Sequence, residues 1–276
     1  MSDEVVKQTR PVNGDDRERL RETFDPVADS YDSARPDYPP KLFDDFTEIA
    51  RLPTGARLLE IGCGTGKATR PLAERGFRIL ALELGANLAR LARKTFASFP
   101  DVEVVNSAFE AWDHRPSFFD AVFAATSWHW LDASVKYSKA AALLRPRGAL
   151  AFWSATHAFP KDFDPFFTEI QDVYDAIGES SEGSWPPPPP EDIPDEAAEI
   201  LGTGLFEDVV VRRYLWEITY TAQEYIHLLD TFSGHRAMSP ENRDRLYAEV
   251  RARIVRRPSQ NIRRHWHSIL HVARRT

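Results

Sequence analysis

The sequence predicts an α/β fold, a mostly parallel sheet covered by helices on both faces. Three observations predict it. Between Arg57 and about Ala155, five short apolar runs alternate with segments of helical spacing, the pattern of strand–helix units whose strands are buried on both sides. A glycine-rich turn joins the first run to the first helical segment. Of 276 residues, 42 % are hydrophobic and 28 % charged, as in a globular chain with a sizeable core.

The elements follow in order. Residues 1–14 are polar and are expected to form a disordered tail. Asp15–Phe24 is charged and helix-competent, and Asp25–Pro40, rich in proline, is expected to be ordered but irregular. Pro40 opens a helix as a first-turn proline, with Leu42, Phe43, Phe46, Ile49 and Ala50 as its apolar face. Strands are expected at Arg57–Ile61, Arg78–Leu82, Val102–Val105, Ala121–Ala125 and Ala149–Trp153, and helices at Lys67–Arg75, Ala86–Ala97 and Ser134–Leu144. Gly76 stands where a helix C′ glycine belongs.

Beyond Ala155 the alternation stops. Phe163–Ile177 reads as one amphipathic helix, and residues 178–194, with the run Pro186–Pro190, as a stiff loop of polyproline character. Val209–Ile218 is β-branched and aromatic, hence a strand. Thr221 and Glu224 form a capping box that starts a helix through about Phe232. Ser239-Pro240 sets an N-cap and first-turn proline before a helix to about Val255, and Trp266–Ala273 is again strand-like. The Val209 and Trp266 strands are expected to pair as an antiparallel hairpin with a helical connection.

Charge and cysteine usage narrow the function. A net charge of −7 argues against tight phosphate-backbone binding. The single cysteine, Cys63, rules out an intrachain disulfide and points to a reducing compartment. No apolar run approaches the roughly 18–20 residues of a membrane span, and the N-terminus carries no apolar signal core. The expectation is a cytoplasmic protein with neither membrane nor nucleic acid as partner. Arg251–Thr276 carries eight arginines and no acid, which reads as a solvated face or as pairing with the acidic remainder.

The most informative stretch is Leu58-Leu59-Glu60-Ile61-Gly62-Cys63-Gly64-Thr65-Gly66-Lys67. Glycines there let the backbone turn sharply and approach a ligand that a Cβ would exclude. The second strand ends in an acid, Glu83, 21 positions after Gly62. A carboxylate at that tip can accept two hydrogen bonds from ribose hydroxyls. The pair implies a nucleoside ligand, and NAD and S-adenosylmethionine both remain open on these residues. The spacing G-x-G-x-G departs from the dinucleotide fingerprint G-x-G-x-x-G, and Gly66-Lys67-Ala68 lacks the hydroxyl of a phosphate loop.

Further motifs accumulate: Phe24-Asp25-Pro26-Val27-Ala28-Asp29-Ser30-Tyr31-Asp32, Arg35-Pro36-Asp37-Tyr38-Pro39, Glu83-Leu84, Ser107-Ala108-Phe109-Glu110, Ser127-Trp128-His129-Trp130-Leu131 and Leu143-Leu144-Arg145-Pro146-Arg147-Gly148. With the glycine turn, these make the chain resemble the class I S-adenosylmethionine-dependent methyltransferases, in particular the type 11 group, over about Phe24 to Arg147. The resemblance implies a seven-stranded Rossmann-like sheet with a terminal antiparallel pair, and S-adenosylmethionine as cofactor. It places Gly62, Gly64 and Gly66 at the methionine part, Glu83 at the ribose, and Leu84, Ala108 and Phe109 at the adenine. Thr126 and Ser127 would lie beside the reacting methyl. The family often has an acid after the third strand, where this chain has Asn106-Ser107-Ala108; backbone groups or the Ser107 hydroxyl would substitute. Four regions follow from this reading: the tail 1–14, a lid segment 15–40 over the cofactor, a core 41–158, and residues 159–276 as helical cap elements plus the closing strand pair.

Arg35 in the lid has two readings: a partner for the methionine carboxylate, or a surface pair with Asp32 or Asp37. Tyr31 would reach the transferred methyl. His129 is the candidate general base, the alternative being a packing or substrate-binding role between two tryptophans. Trp128, Trp130, Trp153, Trp185, Phe232, His235 and Arg236 are candidates to line an acceptor pocket, or else core. No metal ligand is assigned. The expected activity is methyl transfer to a small-molecule acceptor; the rivals are an NAD-dependent oxidoreductase and a methyltransferase-like binding protein without turnover.

Overall fold

The computed structural model describes residues 34–180 and 185–276. The expected tail 1–14, the helix-competent stretch Asp15–Phe24 and Tyr31 lie outside the described residues. The first helix, α1 (Pro40–Ile49), begins at the proline and buries Leu42, Phe43 and Phe46. It covers the sheet that follows: β1 (Arg57–Ile61), α2 (Thr69–Glu74), β2 (Arg78–Glu83), α3 (Ala86–Thr95), β3 (Val102–Asn106), β4 (Phe119–Ala125), α4 (Lys136–Leu143) and β5 (Leu144–Trp153). All five expected strands are present. The helix expected from Lys67 starts at Thr69, because Gly66 and its neighbours are spent on the turn, whose Gly66 N–H returns to the Cys63 carbonyl.

β1 to β5 pair in parallel in the order β3-β2-β1-β4-β5. Alternation along each strand fills two cores. Leu58, Ile79, Ala81, Phe123 and Trp153 face α1, α2 and α3, whereas Leu59, Leu82, Val122, Leu150 and Phe152 face α4. Each fully buried Leu or Phe contributes on the order of 1.5–3 kcal/mol, which is why the apolar runs were readable as strands.

The C-terminal half closes the sheet. After β6 (Thr156–Ala158) come α5 (Phe166–Glu169), α6 (Gln171–Ala176), α7 (Ala197–Gly202), β7 (Phe206–Thr221), α8 (Ala222–Leu229), α9 (Ser233–Ala237), α10 (Pro240–Arg256) and β8 (Asn261–Arg275). β8 runs antiparallel between β5 and β7. Among the described residues the sheet has eight strands, but β6 pairs with β8 at His265–His267 while β5 pairs with it at His271–Arg274. β6 therefore continues the line of β5 along one edge of β8, and the sheet has seven strand positions. The β7–β8 pair is the expected antiparallel hairpin.

The single helix expected over Phe163–Ile177 is instead two short ones meeting at Ile170. The capping box at Thr221 and the Ser239 N-cap are both formed. α5, α6, α8 and α10 pack with Ile262 and Trp266 of β8 into a third core, the cap. No helix among the described residues is long and apolar enough to cross a membrane.

Candidate active site

The C-terminal ends of β1, β2 and β4 open into one cleft, as expected at a switch point of an open α/β sheet. The Gly62 and Cys63 N–H groups both donate to the Leu82 carbonyl, at 2.8 and 3.0 Å. This pins the glycine turn to the tip of β2. Gly64 N–H in turn donates to Glu83 Oε2 at 2.8 Å, and Gly85 N–H to Oε1 at 2.8 Å. Glu83 is 7 % exposed, so backbone amides rather than water hold its charge. A carboxylate has roughly four acceptor positions, and both oxygens of this one meet backbone amides at the mouth of the cleft. Asn106 Nδ2 donates to the Glu83 and Leu84 carbonyls, both at 2.8 Å, which fixes the tip.

The three glycines do different work. All have positive φ: +71° at Gly62, +56° at Gly64 and +99° at Gly66. A Cβ on Gly62 would sit 2.7 Å from Ser127 Cβ, and one on Gly66 would sit 2.3 Å from the Phe96 ring. A Cβ on Gly64 meets nothing within 4 Å and would enter open space where the cleft is lined by Gly62, Cys63 and Gly64. Gly66 is not part of that lining; its bare backbone lets the turn pack on Phe96.

Glu60 and Cys63, present in the motif but not singled out as site residues, also line the cleft. Burial pushes the Glu60 carboxyl up to about 8, against the Thr69 hydroxyl, which donates to Oε2 at 2.5 Å, and with the Glu83 charge adding to the rise. Burial likewise pushes the Cys63 thiol well above its usual range, so it is no thiolate nucleophile.

Leu84, 42 % exposed, Ser107, Ala108 and Phe109 form the wall beyond Glu83. Phe109 is mostly in the core, with Lys139 Nζ 5.4 Å from its ring centroid. At the β4 end, Thr126 has φ +56°. Its Oγ1 shares a hydrogen with the Tyr38 hydroxyl at 2.6 Å and accepts from Ala155 N at 3.3 Å. Nothing in the sequence marks Tyr38 as a site residue, because its position next to Thr126 depends on tertiary packing against Trp153 and Phe43. Ser127 Oγ donates to the Ile61 carbonyl, tying β4 to β1. A 3-10 turn, Trp128–Trp130, follows and delivers His129 and Trp130 to the cleft.

Arg35 lines the cleft from the lid side. It donates to the Thr231 carbonyl at 2.9 Å and lies 4.1 Å from the Phe232 ring centroid. Asp37 pairs with Lys67 at 2.8 Å instead of with Arg35, and Asp32 lies outside the described residues. Phe232 and Ser233 bring the cap into the same cleft.

Several aromatic candidates are corrected. Trp128 stacks on Phe152 at 5.1 Å in the core facing α4. Trp153 stacks on Phe123 at 5.7 Å in the opposite core. Trp185 packs edge-on to Phe159 in the cap, and His235 is buried with Nε2 2.9 Å from the Tyr174 hydroxyl. None of the four lines the cleft, nor does Arg236. Large apolar surfaces gain most from full burial, and nothing in their sequence positions separates core from pocket.

Known proteins agree with this geometry. Residues 58–148 match the family model described as a methyltransferase domain. An uncharacterized methyltransferase of Mycobacterium tuberculosis is 33 % identical over 129 residues, covering 46 % of this chain and 50 % of that protein. The chain thus spans about half the length of that relative. A chain provisionally described as a type II methyltransferase from Anaeromyxobacter dehalogenans superposes with a TM-score of 0.62 at 22 % identity, covering 87 % of this chain and 97 % of that one. A Haemonchus contortus phosphoethanolamine N-methyltransferase in complex with S-adenosyl-L-methionine gives 0.54 at 16 % identity, covering 94 % and 59 %. Residues 58–148 thus match a methyltransferase domain, built on the Rossmann-like sheet described above. The cofactor of class I methyltransferases is S-adenosylmethionine, and the residues present fit it: a glycine turn open at Gly64, and beside it a strand-tip carboxylate lining the same cleft.

Proposed function

We propose that the protein transfers a methyl group from S-adenosylmethionine to a small-molecule acceptor by in-line displacement. One observation carries this: Gly64, Glu83, Thr126 and His129 line a single cleft whose far wall is Phe232 of the cap. The cofactor, when bound, supplies an activated methyl on a sulfonium. The chain's own residues bind, orient and exclude water. Gly62 and Gly64 admit the ligand close to the backbone, Glu83 holds the ribose diol, and Leu84 and Ala108 cover the adenine. Tyr38 and Thr126 form a hydroxyl pair at the β4 end, near where the methyl is handed over. His129 stands at the same end as the candidate base for an acceptor that must lose a proton.

A cleft lined in part by Phe232 and Ser233 of the cap, in a chain of net charge −7, favours a small acceptor over a nucleic acid. The lone, buried cysteine suits a reducing, cytoplasmic setting. The test is calorimetric titration with S-adenosylmethionine, S-adenosylhomocysteine and NAD in parallel, followed by an acceptor screen of aromatic and carboxylic metabolites. Binding of both sulfur nucleosides and not NAD is expected. Uptake of NAD alone would overturn the reading.

A further inference from the structure

Arg264 of β8 is buried to 1 % exposure, and among the described residues no carboxylate lies within ion-pair distance of it. Lys136, the other Lys or Arg buried among the described residues, does have a counter-charge, Glu199 at 3.2 Å. Arg264 has instead a long contact from Nη1 to the Tyr225 hydroxyl at 3.5 Å and the ring of Trp266 at 4.5 Å. Its Nε has no hydrogen-bond partner. A buried guanidinium without an anion is strongly unfavourable, and its fork of donors matches a planar oxyanion.

Its position says which anion. The guanidinium lies 5.3 Å from the Phe232 ring centroid, and Arg35 lies 4.1 Å from that same centroid. Phe232 and Arg35 both line the catalytic cleft. Two cations therefore gather around one ring of the cleft wall, Arg35 within the lining and Arg264 beside the ring but outside that lining. Alternation along β8 turns Arg264 and Trp266 to the cap, so the aromatic surface of Trp266 and Tyr225 is part of the same surround.

We propose that Arg264, with Arg35 beside the shared Phe232, is an anion subsite that binds a carboxylate or phosphate group of the methyl acceptor. This rests on the methyltransferase reading above. It deepens that reading to an acceptor class: a small, anionic, preferably aromatic molecule.

The test measures thermal midpoints and titration isotherms of the full chain saturated with S-adenosylhomocysteine, at fixed ionic strength. The probes are benzoate, phenyl phosphate and the neutral isostere benzamide. At least one anion is expected to raise the midpoint, with no effect of benzamide, and the stronger of the two identifies carboxylate or phosphate as the group. Arg264→Met is expected to abolish that shift and raise the anion Kd by about 30-fold or more, with S-adenosylhomocysteine still bound. Arg264→Lys, which keeps the charge and the fold but loses the fork, is expected to keep part of the shift. The proposal is overturned when neither anion stabilises the native protein, or when the shift survives in Arg264→Met, or in Arg264→Lys at full size should the Met variant not fold. Failure of S-adenosylhomocysteine itself to bind would sink the methyltransferase reading; binding without an anion effect sinks only the subsite.

Discussion

Glu83 Oε2 accepts the Gly64 amide hydrogen at 2.8 Å, so the strand-tip acid and the glycine turn form one unit. On the proposed function, the ribose and the sulfur end of the nucleoside would both bear on this one junction, itself clamped by the Leu82 carbonyl. Damage to either half should be felt by the whole nucleoside.

Glu83→Gln is expected to weaken S-adenosylhomocysteine binding about 10- to 150-fold, the equivalent of losing about 1.5–3 kcal/mol of hydrogen bonding to a charged group. The amide also turns an NH2 toward either Gly64 or Gly85, each of which needs an acceptor. Titration calorimetry checks this; an unchanged Kd would remove Glu83 from the site.

The glycines separate binding from folding. In Gly64→Ala the new methyl enters open space and the strain of its φ of +56° is modest, of order 1–3 kcal/mol. That variant is expected to fold and to lose cofactor affinity. In Gly66→Ala the methyl would sit 2.3 Å from Phe96, and overpacking adds roughly 1–3 kcal/mol to the backbone strain. That variant is expected to lower the melting temperature first. The opposite ranking, read from Tm and Kd together, would reverse the two roles.

What the sequence made legible follows a physical rule. The capping box of Thr221 and Glu224 and the strands β1, β2 and β4 were readable because caps and buried apolar runs are local signals. The break at Ile170 was not, because Phe166, Phe167 and Val173 bury the same face on both sides of it. β6 and α7 exist through contacts with β8 and β7, which no window of sequence contains. The ends of β8 were hidden by arginines: Arg263, Arg264, Arg274 and Arg275 look like solvated surface, yet pairing with β7 extends across them. Glu83 could be placed because strand tip and spacing define it. Tyr38 and Arg264 could not, since their partners Thr126 and Phe232 come from distant parts of the chain.

Stability is expected to fall as pH rises from about 6.5 to 8. Burial raises Glu60 from 4.5 to about 8 in the fold, so the native state keeps a proton that the unfolded chain releases. The resulting slope is at most about 1.4 kcal/mol per pH unit. Below 6.5 the buried His267 and His271, both lowered by burial to about 4, act in the opposite sense, because the unfolded chain takes up protons that they refuse. Glu196 N–H donates to His271 Nε2 at 2.9 Å, which requires the neutral ring. Denaturant melts at several pH values should show a flat region between 6.5 and 8 in Glu60→Gln. A decline of native size in that variant would assign the slope to another group.

His129 reaches the cleft only because β4 ends in the strained Thr126 and turns into the 3-10 segment Trp128–Trp130. Trp128 anchors that segment by stacking on Phe152, while the His129 ring stays half-buried beside Trp130 at 4.9 Å. The anchor residue is thus structural, and its neighbour lines the cleft. His129→Asn keeps a polar, similarly sized group and should leave S-adenosylhomocysteine affinity intact. For an acceptor that must be deprotonated, turnover is expected to drop about 10²- to 10⁴-fold. Trp128→Leu should act through stability instead, lowering Tm by loss of the stack and its buried area. Native turnover in His129→Asn would return His129 to packing and leave the acceptor's own acidity to supply the nucleophile.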